Sequence, residues 1–246
     1  MELNTSKEQI INTSAIKIKK RDGRLEPLDI DKIHFVVEEA CEGLSGVSSS
    51  QIEINANIQF YDGMTTKEVQ QILVRSANDL ISLETPNYQY AAARLLSYDV
   101  RKEAHGQYEY MPLLKLIIRN IKAGVYDKGI VEKFSKTDIK KMNTWIKRER
   151  DLDFTYAGLR QVVDKYLVQD RSSGDLFETP QDMYMMISAT LFAEYPAKTR
   201  MSYVKKYYEA VSRFKINIPT PVMAGVRTPL RQFASCVLVD SDDTLP

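Results

Sequence analysis

The stretch Ile16-Lys17-Ile18-Lys19-Lys20-Arg21-Asp22-Gly23-Arg24-Leu25-Glu26-Pro27-Leu28 decides how the fold begins. A short alternating run, Ile16 to Lys20, precedes the turn Arg21-Asp22-Gly23-Arg24, and a second extended run, Leu25 to Leu28, follows it. Asp-Gly between two short extended runs is a strong local hairpin signal. Immediately downstream, Asp29 or Asp31 can cap a helix that carries Ile33, Val36, Val37, Ala40 and Cys41 on one stripe. Upstream, residues 1–15 are polar and without periodicity, and they read as a flexible lead-in.

Further helical patterns follow. Ser48–Ser50 cap a segment containing Ile52, Ile54, Ala56 and Ile58. Thr65 or Thr66 caps one with Val69, Ile72, Leu73, Ala77 and Leu80, and a third begins after Pro86 with Tyr90, Ala91, Ala92, Leu95 and Leu96. The first hundred residues therefore read as a hairpin leading into a four-helix bundle. From there to Phe214 the spacing predicts helices over 111–122, 135–146, 155–168, 180–193 and 198–212. Tyr166-Leu167-Val168-Gln169-Asp170-Arg171 with Ser172-Ser173-Gly174 reads instead as a short strand and turn. Lys147-Arg148-Glu149-Arg150-Asp151 reads as a solvated helix end, Tyr184-Met185-Met186 and Tyr207-Tyr208 as helix packing, and Trp145 as core or near-core.

After Phe214 the texture changes. Ile216–Ile218, Pro219-Thr220-Pro221 and Phe233–Val239 are short, apolar and flanked by turn residues. They read as buried strands opening an α/β region, or as a two-stranded terminal ribbon.

Bulk properties narrow the function. Of 246 residues, 43% are hydrophobic and 27% charged, near the averages of globular proteins. No apolar run approaches the roughly 20 residues of a membrane-spanning helix, and the polar Met1–Lys7 is unlike a secretory signal. A net charge of +1 gives no reason to expect nucleic-acid or membrane partners. Two cysteines, Cys41 and Cys236, suit a reducing cytoplasm better than a disulfide scaffold. His34 and His105 are too few for a His-rich metal site, so no metal is assigned to this chain.

Two separated stretches carry a family resemblance. Lys20-Arg21-Asp22-Gly23, Glu26, Asp31-Lys32-Ile33 and Tyr61-Asp62-Gly63-Met64-Thr65-Thr66 resemble the ATP-cone. Residues 214–239, from Phe-Lys-Ile-Asn-Ile-Pro-Thr-Pro to Phe-Ala-Ser-Cys-Val-Leu-Val, resemble the first strands of the ten-stranded barrel of class I ribonucleotide reductase large subunits. Asn87–Leu95 and Lys165–Gln169 are similar to patterns of the same family. The resemblance implies a mainly α fold. A hairpin plus four-helix cone spans 16–106, a helical domain 107–213, and the first strands of an incomplete α/β barrel 214–246.

The resemblance also implies site residues. A nucleoside triphosphate needs cations for its phosphates and hydrogen-bonding groups for base and ribose. By match, Lys20 and Arg21 meet phosphates, Lys32 and Lys102 add charge, and Glu26 and Thr66 fall near base, ribose or phosphate. The effector implied is ATP or dATP, with Mg accompanying it. Gly23 lets the hairpin backbone lie close over the ligand. Gln70 stands where the family often carries a histidine tied to the dATP response, which predicts weakened or absent dATP inhibition. Taken alone, Lys-Lys-Arg-Asp-Gly is an ordinary solvated basic hairpin.

At the other end, the resemblance makes Cys236 the first of two reducing thiols, with Ser235 lining the ribose site and Thr220 touching the substrate phosphate. Asp243 matches a position near the specificity effector. Taken alone, Cys236 is a small apolar strand residue and Thr220 a turn residue. No Asn-x-Cys-x-Glu stretch occurs, nor the tyrosine pair for radical transfer, nor a C-terminal cysteine pair. The expectation is therefore the N-terminal part of a ribonucleoside-diphosphate reductase large subunit, either a truncated chain or one half of a divided subunit. Its implied partners are the C-terminal complement, a small radical-generating subunit bearing a di-iron centre and tyrosyl radical, a second large subunit in a dimer, and thioredoxin or glutaredoxin as reductant. The alternative is a non-catalytic nucleotide-sensing cone module.

Overall fold

The computed structural model describes residues 16–230 and 232–239. Two compact units divide the chain, one ending at Leu96 and the other starting at Ser97. The division falls within a single helix, Tyr88–His105. Among the described residues no helix is long and apolar enough to cross a membrane. Residues 1–15 lie outside the described residues, and with them the expected flexible lead-in.

In the first unit the hairpin forms where expected. Strands β1 (Lys17–Lys19) and β2 (Leu25–Pro27) pair antiparallel, Ile18 opposite Glu26. The Gly23 N–H donates to the Lys20 carbonyl at 2.9 Å with Gly23 at φ 86°, a conformation that costs glycine nothing and any L side chain strain. The other edge of β1 is covered by the segment following Tyr61. Lys17 N–H donates to Asp62 Oδ1 at 2.8 Å, Gly63 N–H to Lys17 O at 2.8 Å, and Lys19 N–H to Met64 O at 2.8 Å. Lys19 then bridges Thr65 in parallel. The short strand is left with no bare edge to template aggregation.

Four helices complete the unit: α1 (Ile30–Cys41), α2 (Ser49–Asn57), α3 (Thr66–Asn78) and α4 (Tyr88–His105). Their starts are written locally. Asp29 Oδ1 accepts from Lys32 N–H at 3.1 Å, and Ser48 Oγ from Gln51 N–H at 3.4 Å. Thr65 and Glu68 form a capping box at α3, with the Thr65 N–H donating to Glu68 Oε2 at 2.6 Å. The apolar stripes meet in a core of Val37, Ala40, Ile52, Ala56, Leu73, Ala77, Ala91 and Leu95. The end of α1 is closed from a distance: Arg94 Nη1 donates to Ala40 O at 3.2 Å and Glu42 O at 2.7 Å.

The second unit is helical: α5 (Leu113–Lys122), α6 (Gly129–Lys133), α7 (Lys136–Trp145), a 3-10 turn (Arg148–Asp153), α8 (Tyr156–Lys165), α9 (Pro180–Leu191), α10 (Ala197–Val211) and α11 (Thr220–Gly225). Helix α9 is its axis. Every residue from Pro180 to Ala189 is buried, against α10, the 3-10 turn and α11. That enclosure explains why Met183-Tyr184-Met185-Met186-Ile187 has no polar face. Tyr184, Met185, Met186 and Tyr208 are packing residues, and Trp145 is half-buried.

Three expectations are corrected. Lys147–Asp151 is no solvated helix end: Arg150 and Asp151 are buried in the 3-10 turn. Arg148 Nη2 donates to Asp182 at 2.7 Å, Arg150 to Glu209 at 2.8 Å and to Ser212, and Asp151 accepts from Gln181 at 2.9 Å. The partners come from α9 and α10, some 30 to 60 residues away, so the local charge run conceals its burial. Second, Ile216–Ile218 and the described part of 233–239 form no strand, and Val237, Leu238 and Val239 are exposed. A strand needs a neighbour for its backbone groups, and these segments pair with no other described strand. Third, Pro219-Thr220-Pro221, which reads with the apolar segments as strand, instead opens helix α11, Thr220–Gly225. The Tyr166–Gly174 reading survives in small form, as a single antiparallel bridge between Gln169 and Leu176 around a turn closed by Gly174 N–H to Asp170 O at 2.7 Å.

Candidate functional site

The hairpin of the first unit gathers cations by geometry. Lys20 Nζ lies 3.2 Å from Glu26 Oε2 and Arg24 Nη1 3.3 Å from Glu26 Oε1, so one carboxylate holds two basic side chains over the turn. Arg24 Nε also bonds Asp22 at 2.8 Å. Arg21 stands exposed in the turn. Lys32, in the first turn of α1, places its Nζ 2.8 Å from Asp29 Oδ2. The Lys32 hydrogen bonds hold the Asp29 carboxyl below its ordinary value, and Asp29 in turn raises Lys32. Thr66 opens α3, one residue beyond Thr65, while Lys20 is one residue beyond the Lys19 that bridges Thr65. Lys20 thus follows β1, Glu26 lies on its partner β2, and Thr66 follows the Thr65 that β1 bridges.

The donor set suits a polyphosphate: several exposed or half-exposed ammonium and guanidinium groups on a short, glycine-turned hairpin. Ion pairs couple Lys20, Arg24 and Lys32 to carboxylates of the same unit, so an anion binding here competes with Glu26 and Asp29 for them. Arg24 was not singled out from sequence; its i, i+2 spacing from Glu26, which puts both on one face of the second extended run, is the signal that would have found it. Lys102 lies in the last turn of α4, beyond Leu96 and so in the second unit. Gln70 is half-buried, and its Nε2 donates to the Leu95 carbonyl of α4 at 2.8 Å, a bond that ties α3 to α4.

The second unit carries the other predicted residues. Thr220 is the first residue of α11, set between Pro219 and Pro221, and it is exposed. Its Oγ1 lies 3.3 Å from the Tyr166 hydroxyl, a hydrogen bond either can donate. Ser235 and Cys236 are exposed neighbours, Ser235 Oγ donating to Cys236 Sγ at 3.8 Å. No described hydrogen bond joins them to Thr220. Asp243 lies outside the described residues. Among the described residues no group of His, Cys, Asp and Glu could hold a metal ion. Cys41, the other thiol, is half-buried at the end of α1, and burial pushes it up to about 11, which keeps it an unreactive thiol.

Residues 16–103 match the family described as the ATP cone domain, and residues 152–231 match ribonucleotide reductase, all-alpha domain. Over 231 residues, 94% of the chain, the sequence is 46% identical to ribonucleoside-diphosphate reductase 1 subunit alpha of Salmonella typhimurium. It is 46% identical over 228 residues to the Escherichia coli protein of the same name. It is 42% identical over 232 residues to ribonucleoside-diphosphate reductase subunit alpha of Enterobacteria phage T4. The chain spans about 30% of the length of each of these relatives.

Proposed function

We propose, from the premise that this chain belongs to the family of ribonucleotide reductase large subunits, that it supplies the effector-binding cone and one edge of the active site of a ribonucleoside-diphosphate reductase. The observation that carries the reading is the hairpin's set of cations about the Gly23 turn, in a stretch, residues 16–103, that matches the ATP cone domain. Lys20, Arg21 and Lys32 take the phosphates of ATP or dATP, with Mg on the phosphates. Glu26, released from Lys20 and Arg24 as the phosphates arrive, becomes an acceptor for ribose or base, and Thr66 adds a hydroxyl from the start of α3. Lys102 contributes a further positive charge. The domains assigned are a cone over 16–106, a helical domain over 107–213 and the first barrel segments over 214–246.

At the active-site edge Thr220 contacts the substrate phosphate, Ser235 lines the ribose, and Cys236 is one of two thiols that give up two electrons as the 2′-hydroxyl leaves as water. Thiols suit the step because they oxidise reversibly to a disulfide. The second thiol, the radical cysteine and its acid/base partners come from the C-terminal complement, which also covers the exposed Val237–Val239. A small radical-generating subunit with a di-iron centre and tyrosyl radical, a second large subunit, and thioredoxin or glutaredoxin complete the cytoplasmic assembly. Asp243 lies by the specificity effector.

Calorimetric titration of the 246-residue chain with ATP and dATP tests the cone. Both are expected to bind, and Lys20→Ala and Arg21→Ala are each expected to weaken binding about 10- to 100-fold, the span of one lost charge-assisted contact. No measurable heat at millimolar nucleotide would refute the cone assignment. Gln70 donates a hydrogen bond but carries no proton charge, and it is committed to the Leu95 carbonyl. Diphosphate reduction by the reconstituted enzyme is therefore expected to persist at micromolar dATP; a steep fall there would show that Gln70 leaves inhibition intact. A chain that binds nucleotide yet supports no reduction with any complement would be a sensor module.

A further inference from the structure

Helix α11 begins at Thr220, and Tyr166 meets the polypeptide at both of its ends. The Tyr166 hydroxyl sits 3.3 Å from Thr220 Oγ1 at the start of α11. The Tyr166 backbone carbonyl accepts from Arg227 Nη2 at 2.8 Å, just beyond the end of α11. The same guanidinium reaches back to the Met223 carbonyl inside α11 and is held by the buried Glu178 carboxylate. Two polar atoms of Tyr166 thus grip the two ends of a six-residue helix too short to hold a fixed position through its own hydrogen bonds. Beside it lies a hollow of about 560 Å³ whose lining includes Lys165, Tyr166, Gln169, Arg171, Pro221 and Thr228. Two cations at that hollow suit an anionic ligand.

We propose that Tyr166 is a positioning residue for substrate binding: its hydroxyl fixes the rotamer of Thr220, and with it the start of α11, against the phosphate group of a nucleoside diphosphate. The inference rests on the reading of Thr220 as a substrate-phosphate contact. A threonine hydroxyl on an exposed helix start is otherwise free to rotate among its staggered wells, and a contact that must be ordered on binding weakens affinity. Tyr166 removes that cost before the substrate arrives. The effect falls on substrate binding rather than on the bond-breaking step, because Tyr166 touches no reacting atom.

The test compares Tyr166→Phe, Thr220→Val, Thr220→Ser and the double variant Tyr166→Phe/Thr220→Val. In reductase reconstituted from the full chain, Tyr166→Phe and Thr220→Val are each expected to raise KM for a nucleoside diphosphate about three- to tenfold, as for one lost neutral hydrogen bond, with kcat little changed. Thr220→Ser, which keeps the hydroxyl, is expected to raise KM less than Thr220→Val, and the double variant to be no worse than Thr220→Val alone. An unchanged KM in Tyr166→Phe, a fall confined to kcat, or additive losses in the double variant would overturn the proposal. Hydrogen exchange on the chain alone tests the positioning separately. The Val222 and Met223 amides, which donate to Pro219 O at 3.0 and 3.1 Å, are expected to exchange faster in both Tyr166→Phe and Thr220→Val. If the wild-type enzyme is inactive while those amides respond, the reductase reading has failed and the positioning stands; if it is active and they do not respond, the positioning has failed.

Discussion

Replacing Arg227 by methionine is expected to cost the second unit about 3–5 kcal/mol. Arg227 is 1% exposed and Glu178 fully buried. The guanidinium Nε lies 3.0 and 2.9 Å from the two carboxylate oxygens. Around the pair, Val168 N–H donates to Glu178 Oε1 at 2.8 Å, the Tyr126 hydroxyl donates to Glu178, and Asp127 N–H donates to the Arg227 carbonyl at 2.9 Å. Burial, reinforced by the Glu178 charge, pushes Tyr126 well above its ordinary value, so it stays a neutral donor. Methionine fills much of the space but strands a carboxylate without its cation and leaves the Met223 and Tyr166 carbonyls without their donor. Removing the charge as well, in Arg227→Met/Glu178→Gln, is expected to recover part of the loss, since Gln still accepts from Val168. The chain's single tryptophan, Trp145, lies in the second unit and reports its unfolding in urea. A midpoint shift worth under about 1 kcal/mol would mean that the pair is not what holds α11 and the Tyr166 segment to α9.

The second large effect depends on pH. Asp151 and Asp182 lie buried near Arg148 and have opposite titrations. Burial raises Asp151 to about 7, although a hydrogen bond from Gln181 and the Arg148 and Arg101 charges pull the other way. Burial also opposes ionisation of Asp182, but Arg148 and His105 overcome it and hold that carboxyl well below the usual range. His105 Nε2 lies 3.2 Å from Asp182 Oδ2, and Thr179 donates to the same oxygen. For Asp151, the folded state keeps a proton that the unfolded chain releases near pH 4. Its contribution is therefore greatest at acid pH, declines as pH rises from about 4 to about 7, and is flat above. Asp182 behaves inversely: its contribution is complete above the unfolded value and is lost as pH falls below about 4.

Asp151→Asn, which can still accept from Gln181, is expected to stabilise the second unit at pH 8 by about 2–4 kcal/mol and to flatten the slope between pH 5 and 7. Asp182→Asn is expected to destabilise it by about 3–5 kcal/mol at pH 8, leaving Arg148 buried without its carboxylate. The measurement is the urea midpoint of Trp145 fluorescence at pH 5, 6, 7 and 8. A wild-type slope that survives in Asp151→Asn would assign the titration to another group.

Much of the fold was legible because its signals are local. Asp22-Gly23 places the hairpin turn, Asp29, Ser48 and Thr65 start three helices, and the 3.6-residue spacing of apolar side chains marks most of the rest. The candidate cone residues were legible through order and spacing along the chain, and Lys20 and Glu26 do stand together on the hairpin. Thr220, Ser235 and Cys236 were equally legible as positions, yet the strands expected to carry them do not form among the described residues, since a strand needs a partner from elsewhere in the chain. The Lys147–Asp151 run misled for a related reason: charge by itself says nothing of burial, and the acids that neutralise Arg148 and Arg150 arrive on α9 and α10.

The sequence by itself determined the hairpin, most of the helices, their caps and the family, since each depends on residues within a few turns of one another or on motif order along the chain. The tertiary structure alone decided that Arg227 meets Glu178 across 49 residues, that Tyr166 meets Thr220 across 54, and that the residues between two apolar runs coil into α11. Ion pairs and strands are contacts between distant segments, and their free energy exists only once packing has removed the water between them.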